Sequence, residues 1–365
     1  MGISKLGVVG GGTMGTGIAQ SAVTHGVDTV LVDVDQAASD RGRAIVAGHI
    51  DGAAARGRLS AADAAAALDR LSAASETAAL ADCDLVIEAV FEDFDLKRGL
   101  LGSLNGVLRP DAILATNTSS FRVDDLAPAL DDPGRFLGMH YFVPAGVNKL
   151  VEVVRGAATA PAALDAAADF VRATGKQPLV CGDSNGFVVN RFFIPYFNEA
   201  VRIHENGVAP AQIDEVARAT FQAAAGPFFV MNLSKTRICL DSCRTLVRFG
   251  PFYAPSDALV TQGEAGVPFD IDNDVQPLTG AARDDVADRL RAAAFLPVLE
   301  LLAEGVTTAE GVDLGATLAL RWDLPPCRMM DELGRAEVER IVGAMAGRFG
   351  AAVPATAAMV GKLVA

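Results

Sequence analysis

Through the first half of the chain, short apolar runs alternate with longer amphipathic ones. Leu6-Gly7-Val8-Val9 is β-prone and reads as a buried strand. A helical run follows from Thr16 to Thr24, then a second strand from Asp28 to Val32. Asp84-Leu85-Val86-Ile87 reads as a strand and Asp93 to Asn105 as a helix. Ile113-Leu114-Ala115 is another strand, running into Thr116-Asn117-Thr118-Ser119-Ser120. Such alternation predicts an α/β layer. From Phe187 the pattern turns helical, with one long helix to Asn206 and Gly207 as its stop. Val208 to Asp214 opens the next helix. Asp214 precedes Pro227 by the same step that separates Asp313 from Pro326, which predicts two tandem helical repeats. The expected domains are 1–183, 184–280 and 281–365. Gly263–Ala281 is read as a linker or as an irregular loop covering substrate.

Gly10-Gly11-Gly12-Thr13-Met14-Gly15 sits between the first strand and the first helix, and Asp33 ends the next strand. This is Gly-x-Gly-x-x-Gly in the context that a dinucleotide requires. Gly10 permits the tight turn, Gly12 lets the backbone approach a pyrophosphate, and Gly15 lets helix pack on strand. Helix N–H groups then face the phosphates. The expected fold is therefore a Rossmann α/β N-terminal domain followed by an all-α C-terminal region. Asp33 can accept hydrogen bonds from a ribose diol and would repel a 2′-phosphate. Val34 and Asp35 follow it, with no nearby Arg, so NAD is the expected cofactor rather than NADP. The Thr116–Ser120 cluster is either capping chemistry or a set of donors facing nicotinamide and substrate.

The segment Gly138-Met139-His140-Tyr141-Phe142, then Pro144-Ala145-Gly146, then Leu150-Val151-Glu152-Val153-Val154, has two β-prone flanks around a turn signal. An antiparallel hairpin centred near Gly146 would set His140 opposite Glu152. Opposed residues on one face have Cβ atoms about 5 Å apart. A carboxylate against an imidazole fixes its tautomer, the usual construction of a general acid/base near neutral pH. The alternative is a core histidine beside a solvated glutamate. His25 suits a helix C-terminus, and His49 and His204 lie in helical runs, so none of the three is expected in the chemistry.

Composition narrows the partners. The chain has 365 residues, 45 of them acidic and 31 basic, for a net charge of −14. That disfavours nucleic acid. No apolar run has the length of a membrane span. A strand-like run begins by Ser4, so no signal peptide is expected and the expected location is cytoplasmic. The five cysteines are scattered, without a Cys-x-x-Cys, so neither a disulfide framework nor a metal site is expected.

Taken in order, these motifs resemble the 3-hydroxyacyl-CoA dehydrogenase family. The matching runs are Gly10–Ala19, Ile87–Asp93 with Lys97, Asn117–Ser120, Gly138–Val154, and Gly186–Arg191 leading into Pro195–Ala200. The resemblance covers roughly residues 3–260. It implies that His140 is the acid/base, Glu152 its partner, and Ser119 and Asn190 the polar groups on the substrate oxygen. It implies that Glu92 and Lys97, with Asn117, Thr13 and Met14, meet the dinucleotide. Arg56 falls where such enzymes turn a basic residue toward CoA phosphates, or it is a helix-end Arg on a solvated face. Three positions depart from the family pattern. Val143, not Asn, precedes Pro144. Gly263–Asp270 lacks the lysine-bearing tail motif. Asn232 stands where an acid is usual. These departures open the substrate beyond the usual medium-chain CoA thioester, toward an acyl group on a carrier protein or a short polar one. A dehydrogenase of a free 3-hydroxy acid and a catalytically silent NAD-binding structural protein are the competing readings. Monomer and homodimer both stay open, because a tandem repeat could cover within one chain the surface that this family uses for dimerisation.

Overall fold

The computed structural model describes residues 2–272 and 274–364. The chain forms two compact units, Met1–Asp183 and Ser184–Ala365. The first contains β1 (Lys5–Val9), α1 (Thr13–Val23), β2 (Asp28–Val32), α2 (Gln36–Ala55), α3 (Ala61–Asp69), β3 (Leu71–Ala74), β4 (Leu85–Glu88), α4 (Phe94–Asn105), β5 (Ile113–Thr116), α5 (Val123–Leu126), β6 (Phe136–Tyr141), β7 (Leu150–Arg155), α6 (Pro161–Ala173) and β8 (Gln177–Gly182). The strands make one eight-stranded sheet in the order β3-β2-β1-β4-β5-β6-β7-β8. All neighbours are parallel except β6 and β7, which run antiparallel. β1, β2, β4 and β5 are buried along nearly their whole lengths, which explains apolar runs without strict alternation. The order reverses direction between β1 and β4, and in such sheets the crevice at that reversal holds the ligand.

Some elements differ from the sequence reading. Helix α1 begins at Thr13, inside the glycine motif, because Gly12 is already extended and serves as its N-cap. β3, with sequence Leu-Ser-Ala-Ala, carries no β-branched residue and no alternation that would reveal it.

The second unit is helical: α7 (Val189–Glu205), α8 (Pro210–Phe221), α9 (Pro227–Ser234), α10 (Thr236–Leu246), α11 (Asp257–Ala265), α12 (Gly280–Ala303), α13 (Ala309–Leu320), α14 (Pro326–Leu333) and α15 (Arg335–Phe349). Phe187 has φ +47°, so α7 starts two residues later than the periodicity suggests. α11 runs through Ala265 and shortens the linker at its start. Pro210 to Ala309, Pro227 to Pro326 and Thr236 to Arg335 are the same step of 99 residues. Asp214 accepts the Phe228 and Phe229 N–H groups at 2.8 and 3.0 Å. Asp313 accepts those of Cys327 and Arg328 at 2.8 and 2.9 Å. Each aspartate thereby caps the helix beginning at the proline downstream of it. Gln222 and Arg321, again one step apart, are both left-handed helix ends. The bridge between Ala223 and Trp322 joins equivalent positions, which is the signature of a twofold relation between the two helix sets.

Candidate active site

The glycine turn follows β1 at the reversal of the sheet. Gly10 has φ +109°, and a Cβ there would lie 2.6 Å from the Ala89 carbonyl oxygen. At Gly15 a Cβ would lie 1.8 Å from the Gly10 oxygen, so only glycine lets α1 sit this close to β1. Gly12 is the reverse case. A Cβ there meets nothing within 4 Å, so the space beside it is open to a ligand. No side chain caps α1 and no acid occupies its first turn. Its first N–H groups therefore keep their attraction for an anion. At the end of β2, Asp33 accepts the Gly11 N–H through Oδ2 and the Val34 N–H through Oδ1, both at 2.6 Å. A carboxylate has about four acceptor positions, so capacity for a ribose diol remains. Open space, uncapped helix and half-buried acid fit NAD. Thr13 is exposed at the start of α1, and Met14 turns partly inward onto the core.

β4 and β5 deliver the next part of the rim. Glu88 is fully buried at the end of β4. Its Oε1 accepts the Lys97 ammonium at 2.7 Å and the Val90 N–H at 2.8 Å, and its Oε2 accepts the Thr116 hydroxyl at 2.7 Å. Lys97 is equally buried and lies 3.2 Å from Glu92. Glu92 in turn accepts the Thr118 hydroxyl at 2.5 Å and the Ser119 and Ser120 N–H groups at 2.9 Å. Thus Glu92 and Lys97 brace the loop that carries Ser119, and Lys97 has no exposed surface of its own. The Asn117 side-chain amide oxygen, Oδ1, accepts the Tyr141 N–H at 2.9 Å, which ties this loop to β6 beside His140. Ser119 itself is half-exposed.

β6 and β7 pair with His140 directly opposite Glu152. The imidazole Nδ1 meets Glu152 Oε2 at 2.5 Å. Glu152 is fully buried and His140 is 5% exposed. The Phe142 ring packs on the imidazole with centroids 4.5 Å apart. A buried carboxylate is costly unless paired, and here it is paired in strand register. Nδ1 is the ring nitrogen that meets the carboxylate, so Nε2 is the one that points to any other partner. Burial, with the charges of Glu152 and Asp183 adding to it, pushes the Cys181 thiol well up, so it is no nucleophile.

Two further candidates stand on other elements. Asn190 belongs to the second unit, half-buried in the first turn of α7. Arg56 caps the end of α2, exposed, with its guanidinium folded back over Gly52. Two groups escaped the sequence reading. Glu88 was visible as an acid inside a buried run, nine residues before a lysine. Lys176 has no sequence signal beyond its place between a helix and a strand. The Asn232 side chain donates to the Phe269 carbonyl and accepts the Phe269 N–H, both at 2.8 Å. A carboxylate could make only the second bond. Two of the three family departures are therefore one contact.

A cradle for NAD and a carboxylate-held imidazole on the same sheet define an NAD-dependent oxidoreductase acting on CH–OH groups. Comparison with known proteins agrees. The family model for the 3-hydroxyacyl-CoA dehydrogenase NAD binding domain matches residues 5–184, and that for the C-terminal domain matches residues 186–267. A probable 3-hydroxybutyryl-CoA dehydrogenase of Deinococcus radiodurans is 35% identical over 270 residues, 72% of this chain and 95% of the relative. The crystal structure of (S)-3-hydroxybutyryl-CoA dehydrogenase from Ralstonia eutropha superposes with a TM-score of 0.70 at 35% identity, covering 72% of this chain and 94% of that one. The 3-hydroxybutyryl-CoA dehydrogenase structure from Escherichia coli shares the fold over 99% of this chain and 98% of its own, with a TM-score of 0.89 at 24% identity. The chain belongs to the 3-hydroxyacyl-CoA dehydrogenase family. Among the described residues no helix is long and apolar enough to cross a membrane.

Proposed function

We propose that this protein interconverts a 3-hydroxyacyl-CoA and the 3-ketoacyl-CoA with NAD, and that His140 is the general acid/base. The observation that carries this reading is the 2.5 Å contact between His140 Nδ1 and Glu152, set by strand register beside the Asn117–Ser120 loop. Bound NAD supplies the acceptor for the hydride that leaves C3. His140 Nε2 takes the proton of the 3-hydroxyl as that hydride departs. In the reverse direction the imidazolium returns the proton to the nascent alkoxide. Glu152 holds the ring's orientation and stabilises its charged form. Ser119 donates to the oxygen on which negative charge develops. The family resemblance gives Asn190 the same duty.

The relatives named for 3-hydroxybutyryl-CoA favour a short acyl chain on CoA. NADH oxidation measured against short and long 3-ketoacyl groups, on CoA and on carrier protein, tests the whole reading. The expected result is turnover with short CoA esters. Preference for the acylated carrier would replace CoA with carrier protein, and turnover of a free 3-keto acid alone would remove the thioester. Tight NADH binding with no turnover across the panel would overturn the enzymatic reading.

A further inference from the structure

The eight residues between β6 and β7 form the turn of the catalytic hairpin, and the lysine that reaches into it belongs to a different element. Lys176 precedes β8 and is only 6% exposed. Its ammonium donates to the Ala145 carbonyl at 2.7 Å and to the Asn148 carbonyl at 2.6 Å. It also lies 6.0 Å from the centre of the Tyr141 ring, next to His140 in the chain. Inside the turn the Pro144 carbonyl accepts the Val147 and Asn148 N–H groups, both at 2.9 Å. Lys176 therefore bridges the second half of the turn from outside, from Ala145 to Asn148.

The same turn rests on α1. A Cβ at Gly17 would lie 2.9 Å from the Ala145 Cβ, and a Cβ at Gly146 would lie 2.6 Å from the Gln20 amide oxygen. The corner that carries Lys176 rests on α1 as well, one turn further along. Ser21 donates to the Thr174 carbonyl at 3.3 Å, and a Cβ at Gly175 would lie 2.5 Å from the His25 ring. α1 is the helix whose N-terminus forms the dinucleotide cradle. The lysine thus stands where the cofactor helix, the catalytic hairpin and the corner before β8 meet.

We propose that Lys176 is a positioning residue that locks the His140–Glu152 hairpin to the cofactor helix. This rests on His140 being the acid/base. The cost of the arrangement supports a role. The Lys176 ammonium donates to two backbone carbonyls, and the charge that acts on it is another cation, Lys149. Tyr141 on β6 and Lys149 before β7 face it, and His25, just past α1, packs on the adjacent Gly175; none of these is an acid of the carboxylate kind. Burial, with the Lys149 charge adding to it, pulls the Lys176 ammonium down to about 8. A buried cation without a counter-ion is destabilising by its desolvation alone. An apolar residue would avoid that cost but leave two carbonyls unmet and the turn unclamped.

The test compares Lys176→Met and Lys176→Arg with the wild-type chain, using NADH and acetoacetyl-CoA. Lys176→Met is expected to lower kcat about tenfold or more, because small misplacements of reacting groups are costly. NADH affinity, read by fluorescence, should change less than about twofold, because the turn contacts α1 beyond its cradle. The wild-type advantage over Lys176→Met should shrink as pH rises through about 8, where the wild-type ammonium itself discharges. Lys176→Arg, which keeps its charge, should recover part of kcat and hold it to higher pH. Amide exchange of residues 142–149 should quicken in Lys176→Met, a readout that needs no turnover. If the wild-type chain turns over no substrate, the acid/base reading falls, and quickened exchange still establishes the clamp. Unchanged exchange overturns the proposal, as does unchanged kcat in an active enzyme. Should Lys176→Met fail to fold, the Lys176→Arg pH profile decides, and a profile identical to wild type overturns the proposal.

Discussion

Two carboxylates in the first unit have the same burial and different partners. Glu152 on β7 and Glu88 at the end of β4 are both fully covered, and both touch a basic side chain. Glu88 meets a lysine, a hydroxyl and a backbone N–H together, and Lys97 turns on to Glu92. That set is a brace. It joins the ends of β4 and β5 to α4 and, through Glu92, to the Ser119 loop. Glu152 instead meets an imidazole, the side chain whose charge ordinarily changes near neutral pH. The lesson is that burial alone assigns no role. What the carboxylate faces, and whether that partner can trade a proton, decides between scaffold and chemistry.

Substitutions can break this comparison. The largest effect on stability is expected at the brace. Glu88→Ala leaves the Lys97 charge buried beside a single carboxylate, and should lower the unfolding free energy by roughly 3–5 kcal/mol in urea titration. The paired change of Glu88→Leu with Lys97→Met should recover most of it, and a Glu88→Ala protein as stable as wild type would deny the brace. Glu152→Gln should act the other way round. Its folding should suffer less than that of Glu88→Ala, while kcat falls roughly tenfold to a hundredfold through loss of ring orientation and charge. Retained kcat with a large stability loss would make Glu152 a second brace.

The smallest effect comes from a third carboxylate, Asp84, which precedes β4 at the opposite end of the sheet. Burial pushes it up, but the Ser4 and Lys5 N–H groups, the Ser4 hydroxyl and the Arg109 guanidinium outweigh that and hold it at about 2. Its stabilising contribution, about 2 kcal/mol, is present above the ordinary carboxylate range and drains away as pH falls toward 2. Asp84→Ala should therefore be less stable than wild type at pH 6 and nearly equal to it at pH 2. A gap independent of pH would contradict this.

The sequence carried the parts of the fold that have a period or a punctuation mark. Gly10 and Gly15 declared the cradle because backbone geometry admits few alternatives there, and Gly12 because it leaves the space beside the turn open. The register of His140 on Glu152 was legible because a hairpin's symmetry about Gly146 leaves one pairing. Asp214 and Asp313 were legible as a repeat, although their work as helix caps was not. Lys176, and the Thr116 contact of Glu88, were opaque for a common reason: their partners are brought in from separate elements, and no spacing along the chain encodes that meeting. The resemblance implies Lys97 as a cofactor contact, and its complete burial leaves no mark in the sequence of a helix whose other charges face water.

The most direct test of the account is a single-turnover measurement with saturating NADH and acetoacetyl-CoA, comparing wild type with His140→Ala. The account predicts wild-type affinity for NADH and hydride transfer slowed by roughly 10²–10⁴. Hydride transfer in His140→Ala at the wild-type rate would contradict it.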